Sequence, residues 1–291
     1  MKKWIALVTA LLTLVLMAGC ATTPSAAPSD VTTTAPVAAG TSAAAETSAA
    51  VAATTAPADV GVTLQSIKDK GELVVACNAE FAPFESMEGD KYVGIDMEMA
   101  QIIADKLGVK LKIDNMSFDA VLAAIPSGKC DLGISSLSIT DERKKVMDFS
   151  EPYMETAVMM LVGKDSELKT LDDLQGKKIG VQLGTIADTY VASFVEGAEV
   201  SRMNKDADAV MDLINGKVDA VLTDAAPAKA LAEKNADKIK LVDEKMSSDQ
   251  LAIATKAGNT ELMAFVNGVL KDMKADGSLD AIIAKFIPSN N

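Results

Sequence analysis

The stretch SSLSITDER, residues 135–143, places hydroxyl side chains and an arginine where a strand meets the protein surface. The residues before it, DLGI at 131–134, are typical of a buried strand, which would be expected to continue with apolar residues. Ligands of open α/β sheets lie just outside the C-terminal ends of the strands. We therefore predict that these hydrogen-bonding side chains line a cleft for a polar ligand.

A second polar cluster follows from an internal repeat. AIPSGKCDLGISS (124–136) matches DLINGKVDAVLTD (212–224) at a constant offset of 88, and GELVVACN (71–78) similarly matches GKKIGVQL (176–183). The first match aligns Ser135-Ser136 with Thr223-Asp224. The sequence therefore predicts two α/β lobes of similar plan, with polar residues of both lobes lining the cleft between them.

The elements expected to position these residues alternate between strands and helices, which favours parallel sheets with crossover helices. They are a strand at 72–77, a helix at 96–108, a strand at 109–115, a helix through Phe118, Val121, Leu122 and Ile125, and the strand at 131–134. We expect Asp96 to be the N-cap of the first helix and Gly108 to stop it, and Pro126 to end the second helix.

Composition excludes several function classes. The chain has 291 residues, enough for one or two domains, and a formal net charge of −13, which would repel nucleic acid. It contains no histidine, so Ser-His-Asp triads and His-ligated metals are excluded. We expect neither a metal site nor a cofactor.

The N-terminus has the pattern of an export signal. Lys2 and Lys3 precede an apolar run that ends at Cys20, and LMAGC (16–20) resembles a lipoprotein box, although Met17 stands where leucine is usual. We expect a lipoprotein signal peptide at 1–19 and lipidation of Cys20; the alternative is plain secretion with a chance cysteine. Residues 20–60, rich in Ala, Thr, Ser and Pro, are expected to form a disordered tether.

Two further cysteines invite a disulfide in an exported protein. Cys77 should end one strand and Cys130 should begin a parallel one, which places them at opposite ends of the sheet. We therefore expect two buried free thiols.

The motifs GIDMEMAQIIADKLG, SSLSITDERKKVMDFSEPY, KKIGVQLGT and VDAVLTD resemble the polar amino-acid substrate-binding proteins of ABC transporters, solute-binding family 3. The resemblance covers roughly residues 64–287 and implies a two-lobed type II periplasmic-binding-protein fold with the ligand in the inter-lobe cleft. In that family the first lobe also contains the C-terminal helices. It therefore implies residues 64–159 plus 254–287 as lobe 1 and 160–253 as lobe 2.

The resemblance also implies roles for polar residues. Arg143 would bind the α-carboxylate of the ligand with Thr185, and Asp224 would bind the α-ammonium with the Ser138 hydroxyl and the Ser136 carbonyl. The chemistry agrees, because a planar guanidinium forms paired hydrogen bonds with a carboxylate. The alternatives are a surface ion pair for the arginine and plain helix caps for the threonine and the aspartate.

Further residues would surround the ligand side chain. Phe81 and Phe118 resemble the enclosing aromatic residues, although either could be plain core. Asn78 stands where the family often has an acid, which weakens the case for a cationic ligand; Glu80 could restore that charge, but alternation along the chain directs it elsewhere. Gln182 could bond a polar side chain.

These features favour a monomeric, lipid-anchored receptor on the outer face of the cytoplasmic membrane, binding a free amino acid and docking on the transmembrane subunits of an ABC permease. A neutral polar ligand such as glutamine is favoured, and a cationic one is possible. The alternatives are a sensor domain without transport, or an enzyme similar to cyclohexadienyl dehydratase, for which Glu80 and Asp188 would be the candidate acids or bases.

Overall fold

The structure is a computed structural model that describes residues 63–288, apart from the side chains of residues 191–193. The expected signal peptide, lipidation site Cys20 and tether lie outside the described residues. Within the described part, no helix has the length and apolar character needed to cross a bilayer.

Helices and strands alternate along the described part, as the sequence predicts. The helices are α1 (Leu64–Lys70), α2 (Ile95–Leu107), α3 (Phe118–Ser127), α4 (Ile186–Phe194), α5 (Asp206–Ile214), α6 (Ala225–Lys234), α7 (Thr260–Ala275) and α8 (Ser278–Phe286). The strands are β1 (Glu72–Cys77), β2 (Glu80–Phe81), β3 (Glu85–Glu88), β4 (Lys91–Val93), β5 (Lys110–Asn115), β6 (Leu132–Ser138), β7 (Met147–Phe149), β8 (Met154–Thr156), β9 (Val158–Gly163), β10 (Lys178–Gln182), β11 (Glu199–Met203), β12 (Ala220–Asp224), β13 (Ile239–Leu241) and β14 (Asp249–Lys256).

Two larger sheets form the two predicted lobes. The first has the order β5-β1-β6-β14-β7, with β8 also pairing β14, and the second has the order β11-β10-β12-β9-β13. In each sheet three strands run parallel and the remaining strands join antiparallel. A small antiparallel sheet, β2-β3-β4, belongs to the segment between β1 and α2.

The cores explain why the central parallel strands, such as β1, are apolar on both faces. Along β1, Leu73 and Val75 pack in one apolar cluster with α2, α7 and α8, whereas Val74 and Ala76 pack in another with α3. Successive strand residues point to opposite faces of a sheet, so helices on both faces bury every position. The second lobe repeats this arrangement in its own two clusters.

The predicted strands at 72–77 and 109–115 are confirmed within one residue, and Gly108 stops α2 as predicted, but the predictions for Asp96 and Pro126 are wrong. The N-cap of α2 is Gly94, and Asp96 lies inside the first turn, fully buried. A side chain on Gly94 would lie within 2.1 Å of the Phe84 carbonyl oxygen, so a glycine is required there. Helix α3 contains Pro126 and ends at Gly128, whose left-handed backbone closes the last turn.

The strand bounds also differ from the expected lobe boundaries. Strand β9 pairs with β12 and β13, so residues 158–159 belong to the second sheet, and β14 pairs with β6, so residues 249–253 belong to the first. The two crossings therefore precede Val158 and Asp249. Strand β9 is apolar up to its last residue, and β14 has an apolar centre between polar ends, so their composition does not mark the change of sheet.

The two cysteines lie as the strand prediction placed them. Cys77 is the last residue of β1 and Cys130 precedes β6, which runs parallel to β1. Both thiols are buried and free. Burial raises the pKa of the Cys130 thiol to about 11, so it stays protonated and unreactive in the folded protein at neutral pH.

Candidate functional site

A largely closed cavity lies where the C-terminal ends of β1, β6, β10 and β12 face one another. It is narrow, with a cavity volume of about 20 Å³. Its lining brings together every residue predicted for the site and adds others: Asn78, Phe81, Glu85, Phe118, Ser135, Ser136, Ser138, Arg143, Gln182, Thr185, Ile186, Ala187, Thr223 and Asp224. The lining therefore comes from both lobes, in a position where α/β folds hold ligands.

Arg143 begins a short 3₁₀ turn that follows β6, and its guanidinium joins the two lobes. Nη1 donates to the Ser138 carbonyl at 2.7 Å, and Nη2 donates to the Gly184 carbonyl at 2.9 Å. The guanidinium carbon lies 5.7 Å from the centre of the Phe118 ring, within the range of a cation–π contact. Burial lowers the pKa of Arg143 to about 10, so the side chain remains cationic at neutral pH. This geometry does not match the alternative of a surface ion pair.

Asp224, at the end of β12, provides the opposite charge from the second lobe. It occupies the N-cap position of α6, but its side chain caps no backbone N–H, so the plain-cap alternative does not account for it. Burial, with repulsion from Asp206 and Asp249, raises the pKa of Asp224 to about 8. Arg143 acts in the other direction and lowers this pKa, but does not compensate for burial. The carboxyl is therefore held in an environment that favours a cation close to it.

Thr185 immediately precedes α4, and its hydroxyl is already engaged locally. It donates to the Gln182 carbonyl at 2.8 Å and accepts from the Asp188 N–H at 3.3 Å. The loop is braced by Asp188, which accepts from the Gly184 N–H at 3.1 Å and from Arg202 Nε at 2.8 Å. Gly184 has φ +82°, a left-handed conformation that suits glycine and that presents its carbonyl to the first lobe. Thr185 therefore does cap α4, as in the alternative interpretation of this residue.

The two aromatic residues are both core and lining. Phe81 is 9% exposed and packs with Phe84 at a ring-centre distance of 6.1 Å, and Phe118 is 7% exposed within the cluster around α3. Each therefore closes one part of the cavity while anchored in the first lobe.

A pair of neutral amides crosses between the lobes. Gln182 Nε2 donates to Asn78 Oδ1 at 2.9 Å and to the Asn204 carbonyl, and Asn78 Nδ2 donates to the Met116 carbonyl. Both side chains are buried, at 2% and 5% exposure. This part of the lining is polar and carries no formal charge.

Glu80 is absent from the cavity lining. Its carboxylate instead forms an ion pair with Lys205 of the second lobe at 2.5 Å, on the half-exposed rim. The alternation argument, which directed Glu80 away from the ligand, agrees with this position. Pairs this exposed contribute little to stability, about 0–1 kcal/mol.

The polar residues of β6 lie inside the protein rather than at its surface. Strand β6 extends to Ser138, beyond the predicted end at residue 134, and every residue in it is buried. Ser136 and Ser138 line the cavity, and Ser135 accepts the Asn78 N–H at 3.0 Å. The serine hydroxyls therefore lie in the cavity wall while the end of β6 remains paired with β14.

Sequence reasoning missed one lining residue of consequence, Glu85. This glutamate is fully buried, and its carboxyl accepts hydrogen bonds from the Ser135 hydroxyl at 2.7 Å and the Ser136 hydroxyl at 3.3 Å. Burial, with repulsion from Asp96, raises its pKa well above the usual range. Nothing in its local pattern, a four-residue strand beside exposed Glu88, marks it as internal.

The pKa of Asp224 leads to a test of stability. A carboxyl with a raised folded-state pKa stabilises the fold below pH 4, and this contribution is lost as the pH rises towards 8. Asp224→Asn should therefore match the parent at pH 4.5 and be more stable at pH 8.5, by about 1–3 kcal/mol after allowance for partial solvation. Thermal unfolding of the ligand-free protein at the two pH values measures this difference.

The exposed Asp237 provides the matched control. Asp237→Asn should change stability little, and equally at both pH values. If Asp224→Asn is less stable than the parent at pH 8.5, the Asp224 carboxylate stabilises the fold, which would contradict the prediction that it lacks a cationic partner.

Comparison with known proteins gives the same picture. Residues 73–289 match the family model described as bacterial extracellular solute-binding proteins, family 3. The chain is 36% identical to the L-cystine-binding protein TcyJ of Escherichia coli (strain K12), with 79% of this chain and 87% of that protein covered. It resembles the crystal structure of a mutant of ArgBP from T. maritima, at 40% identity and TM-score 0.74, with 77% of this chain and 98% of that one covered.

A further solved structure, an ancestral arginine-binding protein bound to glutamine, is 40% identical and has a TM-score of 0.69, with 75% of this chain and 98% of that one covered. The family match extends from β1 past the end of α8 and so includes both sheets and the cavity between them. The chain belongs to the bacterial extracellular solute-binding proteins, family 3.

Proposed function

We propose that this protein is an extracytoplasmic receptor that binds a free polar amino acid between its lobes and delivers it to an ABC importer. One observation carries the proposal: the partly buried guanidinium of Arg143 from one lobe and the partly buried carboxyl of Asp224 from the other line the same small cavity. An α-amino acid is a zwitterion, so it offers one group of opposite charge to each.

Arg143 binds the α-carboxylate in this proposal. Its two Nη atoms already donate to neutral carbonyls of the two lobes, at 2.7 and 2.9 Å. A carboxylate is a stronger acceptor for a guanidinium than a neutral carbonyl, and its two oxygens match the planar fork. Thr185 and the N–H groups at the start of α4 supply the second lobe's share of this site.

Asp224 binds the α-ammonium, assisted by the Ser138 hydroxyl and the Ser136 carbonyl. An ammonium close to Asp224 lowers the pKa that burial has raised to about 8, so binding releases a proton at neutral pH. Ser138 is 4% exposed, and no other group of the described residues donates to or accepts from its hydroxyl. It can therefore orient towards the ligand.

The side-chain end of the cavity favours a neutral polar ligand such as glutamine. Asn78 and Gln182 supply amide donors and acceptors, and the carboxylate of Glu80 is engaged with Lys205 outside the lining. Glu85 is the remaining acid nearby, and burial raises its pKa because it disfavours the charged carboxylate. Relatives named for cystine and arginine, and one bound to glutamine, set the range of ligands to test.

Binding would be completed by hinge closure of the two lobes. Three contacts join the lobes around the cavity: Arg143 to Gly184, Gln182 to Asn78, and Lys205 to Glu80. All three can break and re-form as the lobes separate, because each joins side chains or loop backbone rather than continuous core. The closed form would be the one that docks on the permease, as a monomer.

An enzymatic role has no support in the cavity. The two candidate acids or bases, Glu80 and Asp188, are engaged in ion pairs with Lys205 and Arg202, and neither lines the cavity. The cavity instead holds binding groups, in agreement with a receptor.

Calorimetric titration of ligands tests the proposed specificity. L-glutamine should bind at least as tightly as L-arginine or L-lysine, because the amides of Asn78 and Gln182 are neutral and Glu80 is paired with Lys205. L-cystine, glycine and the remaining amino acids complete the panel. D-glutamine is the control: it carries the same charged groups, but it cannot place its side chain in the same subsite while both groups are bound. Binding of L-arginine alone would refute a neutral subsite and would indicate that Glu85 is ionised.

We further propose that Cys20 carries a lipid that holds the protein at the outer face of the cytoplasmic membrane, with residues 20–60 as the tether. The intact chain should incorporate labelled palmitate and sediment with membranes, and Cys20→Ser should lose both properties. Protease should cut between Ala21 and Val60 and release a core that still binds ligand. Membrane sedimentation of Cys20→Ser would contradict a lipid anchor.

A further inference from the structure

Ser136 has an unusual backbone conformation in the wall of the cavity. Its φ is +47°, and it is the one non-glycine residue of the described part with a positive φ. It lies within strand β6, between Ser135 and Leu137, and is 5% exposed. The left-handed region is unfavourable for residues with a Cβ atom, so surrounding contacts must hold Ser136 there.

The contact that holds the backbone comes from Asp96 in the first turn of α2. Asp96 Oδ2 accepts the Ser136 N–H at 2.7 Å, and Oδ1 accepts the Tyr153 hydroxyl at 2.8 Å. The carboxyl is fully buried, with each oxygen bonded. Its position is fixed by the close approach of Gly94 to the Phe84 carbonyl, which brings the start of α2 against the hairpin that carries Glu85.

Glu85 completes the cluster from the other side. It accepts from the hydroxyls of Ser135 and Ser136, and its carboxyl is hydrogen-bonded to that of Asp96. Two buried carboxyls in contact cannot both ionise, so they hold one proton between them. Burial raises the pKa of both carboxyls above their usual range, in agreement with one proton shared by the pair.

We propose that Asp96 is a positioning residue for the amino-acid site: through its bond to the Ser136 N–H it holds the left-handed turn that directs Ser136 and Ser138 into the cavity. This inference rests on the proposed function, because it concerns the end of the cavity that would receive the α-ammonium. Asp96 itself does not line the cavity, so it acts through the backbone of Ser136. Asp96 therefore does not cap α2, as expected from the sequence, but accepts a hydrogen bond from the backbone of strand β6.

The positive φ supplies a test that separates positioning from general stability. Glycine adopts a positive φ without a steric penalty, so a chain with Ser136→Gly no longer needs Asp96 to hold the turn. In the parent, Asp96→Ala should weaken binding of the tightest of L-glutamine, L-arginine and L-cystine by about tenfold or more, as expected for a lost hydrogen bond to a buried group. In the Ser136→Gly background the same change should weaken it by less than about threefold.

Ser135→Gly is the matched control, because Ser135 is the adjacent serine and has an ordinary backbone conformation. In that background Asp96→Ala should keep its full tenfold effect. An equal loss in the parent and the Ser136→Gly background would overturn the proposal. Thermal unfolding of each variant confirms that it is folded, and Asp96→Leu, which has a similar shape and no acceptor, replaces Asp96→Ala in the same comparison if the alanine variant does not fold.

A ligand-free measurement distinguishes failure of this inference from failure of the proposed function. If the parent binds none of the three amino acids, the proposed function fails, and the positioning role is tested by crystal structures of the ligand-free parent and Asp96→Ala proteins. The inference expects φ of Ser136 to be positive in the parent and negative in Asp96→Ala. A Ser136 that keeps φ near +47° without Asp96 would overturn it.

Discussion

The organisation of the site depends on two partly buried ionisable groups, Arg143 and Asp224, which come from different lobes and have no hydrogen-bonded ion partner among the described residues. Arg143 donates only to neutral carbonyls, and Asp224 is held near Asp206 and Asp249, which repel it. Burying a charge without an ion partner is unfavourable, so the fold keeps both groups in a state that a ligand of opposite charges would relieve. The site therefore costs stability in the ligand-free protein, and a bound zwitterion recovers that free energy as affinity.

The remaining structure serves to bring these two groups to one cavity. Each lobe ends a central parallel strand at the cleft, β6 in the first and β12 in the second, with helices covering both faces of each sheet. The rigid sheets fix each charged group within its own lobe. The crossings between lobes are made by the segments before β9 and β14, so hinge motion can change the distance between the charges without disturbing either core.

Much of this arrangement could be predicted from the sequence, because the repeat at an offset of 88 encodes the equivalence of the two strand ends. The strands were predictable from the alternation of strand and helix patterns, and most of the cavity lining from the resemblance to the family. The predictions failed for residues whose contacts come from parts of the chain that are distant in sequence. Asp96 has the residue type of a helix cap, but Gly94 takes that place, and Glu85 is surrounded in sequence by exposed residues although it is buried in the fold. Pro126 fits in the last turn of α3, where Gly128 is the actual stop.

Calorimetry with altered ligand ends tests the central claim most directly, because it assigns each charge to its partner. Arg143→Ala should weaken binding of the intact amino acid by about 2–5 kcal/mol, and Arg143→Lys should restore little of it. Arg143→Ala should make no further difference to the α-amide, which lacks the carboxylate, and Asp224→Asn none to the deaminated acid, which lacks the ammonium. If instead the α-amide binds the parent as tightly as the free amino acid does, Arg143 does not bind the carboxylate and the account is wrong.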